Sequence, residues 1–131
     1  MKRIGIVTLM AIVALSASVM PAHAATTQDY SMILPRFGAA AYSSAKTVSA
    51  YRDFGVRHKY SGGKTVNFQV CDTQKNTIGS KIAVKPGGSS APLIDLWYNS
   101  TASSRNICVK MTTSLTTAVQ VLAEGTWQWN Y

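Results

Sequence analysis

The sequence predicts an all-β protein: a small antiparallel β-sandwich, or partly open barrel, of about seven to nine short strands within residues 25–131. Three observations predict it. Apolar residues recur at every second position in several runs, clusters of Gly, Pro, Asn, Asp and Ser separate those runs at short spacing, and no segment carries a convincing helical stripe. No internal repeat or linker divides the chain, so residues 25–131 are expected to form a single domain.

Residues 1–24 read as a secretory signal peptide. Met1-Lys2-Arg3 is a short basic stretch and Ile4 to Met20 an uncharged apolar run. Pro21 then breaks the helix, and Ala22-His23-Ala24 places small residues at the two positions a signal peptidase reads. Cleavage between Ala24 and Ala25 would yield a secreted protein, extracellular or periplasmic. The apolar run is short for a spanning helix and has no basic stop-transfer flank, so an integral membrane protein is not expected.

The strands follow in order. Tyr30 to Leu34 reads as a first strand ended by Pro35, while Ala39-Ala40-Ala41 is ambiguous. Lys46 to Arg52 reads as a second, with Val48 and Ala50 opposite Thr47, Ser49 and Tyr51. Val66, Phe68 and Val70 alternate with Asn67 and Gln69, between the turn signal Gly62-Gly63 and the polar run Asp72 to Asn76. Lys81, Ala83 and Lys85 alternate with Ile82 and Val84 until Pro86-Gly87-Gly88 stops the strand. Pro92 to Tyr98 is a mixed apolar run, and Ile107, Val109 and Met111 alternate again. From Val119 to Tyr131 every odd position but Gly125 is apolar or aromatic, and the glycine marks a bulge or bend. The order Cys71, Trp97, Cys108 does not fit an immunoglobulin domain, because the cysteines are too close and no tyrosine corner precedes the second.

The whole chain carries 13 basic and 5 acidic residues, a formal charge of +8. Two of those basic residues lie in residues 1–24, so the 107 residues after the cleavage site keep a charge of +6. With 47% hydrophobic residues the chain is too apolar to be disordered. Cys71 and Cys108 are the only cysteines, and export to an oxidising compartment predicts a disulfide between them, worth about 3–4 kcal/mol through loop closure.

Chemistry-bearing patterns are sparse. His58 is the sole histidine after the cleavage site, and its cationic neighbours Arg57 and Lys59 would hold it neutral near pH 7, as an exposed imidazole on a basic loop or as a general base. No nucleophile motif accompanies it. One histidine and two oxidised cysteines supply no zinc site, and no cofactor motif is present, so neither a metal nor a cofactor is expected. Asp29, Asp53, Asp72, Asp95 and Glu124 are scattered singly, which leaves glycosidase pairing unreadable. Asn99-Ser100-Thr101 fits the N-glycosylation acceptor pattern.

The densest feature is the run from Tyr51 to Lys64. Arg52, Arg57, Lys59 and Lys64, with His58 and the aromatics Tyr51 and Tyr60, form a candidate site for an anionic ligand. The plainer reading is a basic loop whose aromatics turn into the core. Trp127, Trp129 and Tyr131 are likewise either a binding platform or core. The leading function class is a non-enzymatic binder of an anionic cell-surface or extracellular component: a cell-envelope polymer, an acidic polysaccharide or lipid headgroups. Intracellular nucleic acid is not an expected partner of an exported chain. The alternatives are a cationic antimicrobial or toxin-like protein acting on membranes, and a small secreted enzyme using His58.

Overall fold

The computed structural model describes residues 25–131, and the predicted signal segment 1–24 lies outside the described residues. Nine strands form in these residues: β1 (Thr26–Leu34), β2 (Ala41–Tyr42), β3 (Lys46–Val48), β4 (Asp53–Tyr60), β5 (Val66–Asp72), β6 (Ile82–Val84), β7 (Ile94–Tyr98), β8 (Arg105–Thr112) and β9 (Val121–Trp129). They make two antiparallel sheets, one in the order β1-β9-β4-β7 and one in the order β2-β8-β5-β6 with β3 also on β8. The inner faces meet in one core, so the fold is the expected β-sandwich. Among the described residues no helix is long and apolar enough to cross a membrane.

The alternation read from the sequence becomes the two faces of each sheet. Val66, Phe68 and Val70 are fully buried, as are Ile107, Val109 and Met111, and the two strands face each other in register. Trp127 and Trp129 also point inward, at 1% and 9% exposure, which settles them as core. Trp127 is the hub of an aromatic cluster: it stacks on Tyr30 at 4.2 Å and meets Phe68 edge-on at 5.9 Å and Phe54 at 5.8 Å. Such contacts add to the burial of large apolar rings.

Tyr131 does not continue that face. Asn130 adopts a left-handed backbone (φ 64°), which sends Tyr131 over the outer face of the first sheet. There its hydroxyl donates to the Asp95 carboxylate, and it passes so close to Gly55 that a Cβ at that position would lie 2.5 Å from it. The second predicted strand is also shorter than expected, ending at Val48. Tyr51 turns the chain with φ 56° before β4 begins.

The run from Tyr51 to Lys64 is not a loop. Residues 53–60 are β4, an interior strand of the first sheet, with Phe54, Val56 and His58 inward and Arg57 and Lys59 outward. Asn99, which heads the glycosylation-like triplet, is fully buried. Its amide donates to the carbonyls of Val48, Ser49 and Ser103 and accepts from Thr101, so it ties its own loop to the turn after β3 and offers no accessible nitrogen.

Gly125 holds the strictest steric position in the first sheet. It pairs with Tyr30 on one side and His58 on the other, and a Cβ there would lie 2.3 Å from the Arg57 carbonyl and 2.6 Å from the Tyr30 hydroxyl. Gly125→Ala should therefore destabilise the fold by about 1–3 kcal/mol, the range for overpacking a filled interior. A lower urea midpoint at unchanged slope is the expected result.

Candidate functional site

The predicted anionic-ligand residues are spread along β4 and do not gather into one site. An eight-residue strand extends about 26 Å, and Tyr51 and Lys64 lie beyond its opposite ends. Tyr51 is exposed, whereas Arg52 is half-buried and its carbonyl accepts from the Asn99 backbone. Arg57 donates to the Ala91 carbonyl at 3.2 Å, and Lys59 stands half-buried on the outer face. Tyr60 and Lys64 line a separate shallow groove with Val119 and Leu122.

His58 is the clearest departure from expectation. The predicted exposed imidazole is 1% exposed, because its position in the alternation of β4 is inward. Its Nδ1 lies 2.8 Å from the Tyr30 hydroxyl and its Nε2 2.8 Å from the Ser61 hydroxyl. Ser61 donates its single proton to the Lys64 carbonyl at 2.5 Å. The proton directions follow: Tyr30 donates to Nδ1, and the protonated Nε2 donates to Ser61. Every member is satisfied, the imidazole is neutral, and burial pushes its pKa down to about 4. The cause is desolvation and not the flanking cations.

The order Ser61, His58, Tyr30 has the outline of a nucleophile–base–orienter relay, but its polarity is wrong for one. Ser61 is fully buried, gives its proton to a backbone carbonyl and receives one from the histidine.

The expected disulfide is not formed. Cys71 and Cys108 are free, buried thiols, directly opposite each other across β5 and β8. Each thiol donates to a backbone carbonyl, Cys71 to Gln69 at 3.6 Å and Cys108 to Asp72 at 3.2 Å. Burial raises both thiol pKa values, which keeps the sulfurs protonated. The β5–β8 ladder aligns this part of the second sheet without a covalent link.

The arrangement best suited to a ligand lies on the outer face of the second sheet. Lys81, Asn67, Gln69, Lys110, Thr113 and Leu115 line a cleft of about 260 Å³. Register places it: Gln69 is opposite Lys110, Asn67 opposite Thr112, and Lys81 directly precedes β6, which pairs with β5. No carboxylate lines the cleft. Gln69 uses its amide nitrogen on the Gly79 carbonyl at 3.0 Å, leaving its side-chain oxygen to accept. Thr113 is 3% exposed, and its hydroxyl is buried without a hydrogen-bond partner, an arrangement that ordinarily costs about 1–3 kcal/mol. Two ammonium groups, two amides and an unsatisfied hydroxyl at one cleft are chemistry for an anion bearing further polar groups.

Sequence reasoning missed this site. Lys81, Asn67, Gln69 and Lys110 are each visible as outward positions of a strand, but they meet only through the β6-β5-β8 order. Among the described residues no group of three or more His, Cys, Asp or Glu could hold a metal ion. Comparison with known proteins finds no matching family model, curated protein or solved structure.

Two measurements test the buried relay. Because the folded pKa of His58 lies below its unfolded value, its contribution is complete above pH 6.5 and is lost as pH falls towards 4, amounting to about 3 kcal/mol. Denaturation midpoints recorded across that window should fall, while NMR shows the His58 ring neutral until near pH 4. Tyr30→Phe removes the donor to Nδ1 and should cost about 1–3 kcal/mol at neutral pH, read from thermal or urea unfolding.

Proposed function

We propose that this chain is an exported, non-enzymatic protein that binds an anionic cell-surface or extracellular component. The cleft between Lys81 and Lys110 carries this reading, because it joins two cations to polar side chains with no acidic residue among them. The charge of the whole chain, 13 basic against 5 acidic residues, adds a long-range attraction of the same sign. Export rests on the character of residues 1–24. The burial of His58, with both ring nitrogens engaged, supports the non-enzymatic reading over one in which it serves as a base.

The dense Tyr51 to Lys64 run takes a supporting part. Its cations stand on another sheet or at its ends, where they add to the field around the molecule without lining the cleft.

Retention on cell-envelope preparations and on immobilised acidic polysaccharide, at about 0.05 M and 1 M salt, tests the proposal. Strong retention at low salt and release at high salt is expected on at least one support. The double variant Lys81→Gln, Lys110→Gln should weaken it more than Lys59→Gln, Lys64→Gln, which removes the same charge elsewhere. Retention on neither support, or retention indifferent to salt, overturns the reading.

A further inference from the structure

We infer that the anionic component is a lipid surface: the Lys81–Lys110 cleft receives the headgroup phosphate of an anionic phospholipid while Leu115 and Phe37 enter the acyl region beside it. This inference rests on the anion-binding reading and names its partner. Leu115 forms one wall of the cleft and is 79% exposed, and Phe37 is 59% exposed. Their two loops are tied together, since the Phe37 backbone donates to the Thr117 carbonyl at 2.8 Å. Between them, Gly38 has φ 72° and lies so close to Leu115 that a Cβ would come within 2.9 Å of its Cδ2. A water-borne polyanion in the cleft would leave both apolar side chains facing solvent. A bilayer buries them while its phosphates reach the lysines, which is how interfacial binding combines apolar area with charge.

The surroundings fit the same partner. β1 and β4 end, and β9 begins, at the end of the sandwich that carries these loops. Ile33 and Leu122 are paired there at 63% and 51% exposure, with Val119 at 56% and Tyr60 at 51% nearby. Arg36, Lys64 and Lys85 are exposed at this end, and Glu124 is the acidic residue closest to it along β9. Apolar tips ringed by cations complement an anionic bilayer, where each nearby lysine is worth about fivefold in affinity.

Vesicle flotation with the folded protein tests this, comparing phosphatidylcholine vesicles with and without phosphatidylglycerol. Wild type should bind only the phosphatidylglycerol-containing vesicles. Phe37→Ser, outside the cleft lining, should lose at least fivefold of that affinity while keeping wild-type retention on acidic polysaccharide, and Lys81→Gln, Lys110→Gln should weaken both. Thermal melts confirm that the exposed substitutions leave the fold intact. As an independent readout, Leu115→Trp should shift its emission to the blue on these vesicles and be quenched by acyl-chain-brominated lipid. Several outcomes overturn the inference: vesicle binding unaffected by the serine variant, no preference for phosphatidylglycerol, or a serine variant whose only change is loss of self-association. Salt-sensitive retention on polysaccharide without vesicle binding removes the lipid and leaves the anion-binding proposal standing, whereas binding to neither removes both.

Discussion

The hydrogen bond that Tyr30 donates to His58 across Gly125 is the constraint on which the first sheet depends. Tyr30, Gly125 and His58 sit side by side on β1, β9 and β4, all on the inner face. A slip of one residue in either pairing would turn one partner outward and leave a buried polar group alone. Register is thus enforced by a polar interaction inside an apolar core, in addition to the alternation that buries Leu34, Phe54 and Trp127. The chain of donors ends on the Lys64 carbonyl, which also ties the turn after β4 to the core.

Strands whose inward residues are all apolar were legible from the sequence. β5, β8 and β9 announce themselves because Val, Ile, Phe, Met and Trp occupy alternate positions. β4 did not, because its inward set includes a histidine and its outward set includes a glycine, so alternation was masked by chemistry that looks like a basic loop. Phe54, Val56 and His58 are periodic once the imidazole is counted as a core residue, and the relay with Tyr30 and Ser61 is what qualifies it. Tyr131 misled for a different reason: one left-handed residue, Asn130, reverses the face, and no periodicity rule anticipates it. The candidate cleft was illegible because its lysines lie 29 positions apart in sequence and meet only when β5 is inserted between their strands.

Charge density in sequence and charge density in space differ sharply in this fold. A strand alternates its side chains between two environments, so Arg57 and Lys59 are separated from inward neighbours and lie along an axis instead of around a point. On the first sheet's outer face, cations also stand near Asp53 and Asp95, and Arg57 is engaged with the Ala91 carbonyl. The second sheet concentrates less charge, and at its cleft no carboxylate opposes it. Two isolated lysines, one on β8 and one directly before β6, make a more selective surface than a continuous basic run, because each is held by a different part of the ladder.

The place of β9 in the first sheet also fixes when that sheet can exist. The last of the nine described strands lies between β1 and β4, so these two join one sheet only through it, and Thr26 ends beside Trp129. The β1–β9 ladder joins Thr26 to Trp129, a non-local pairing of the kind that forms late in folding. A chain lacking β9 would keep the β4–β7 pair but leave β1 without its ladder partner, so the sandwich closes as a whole only when that one segment is in place.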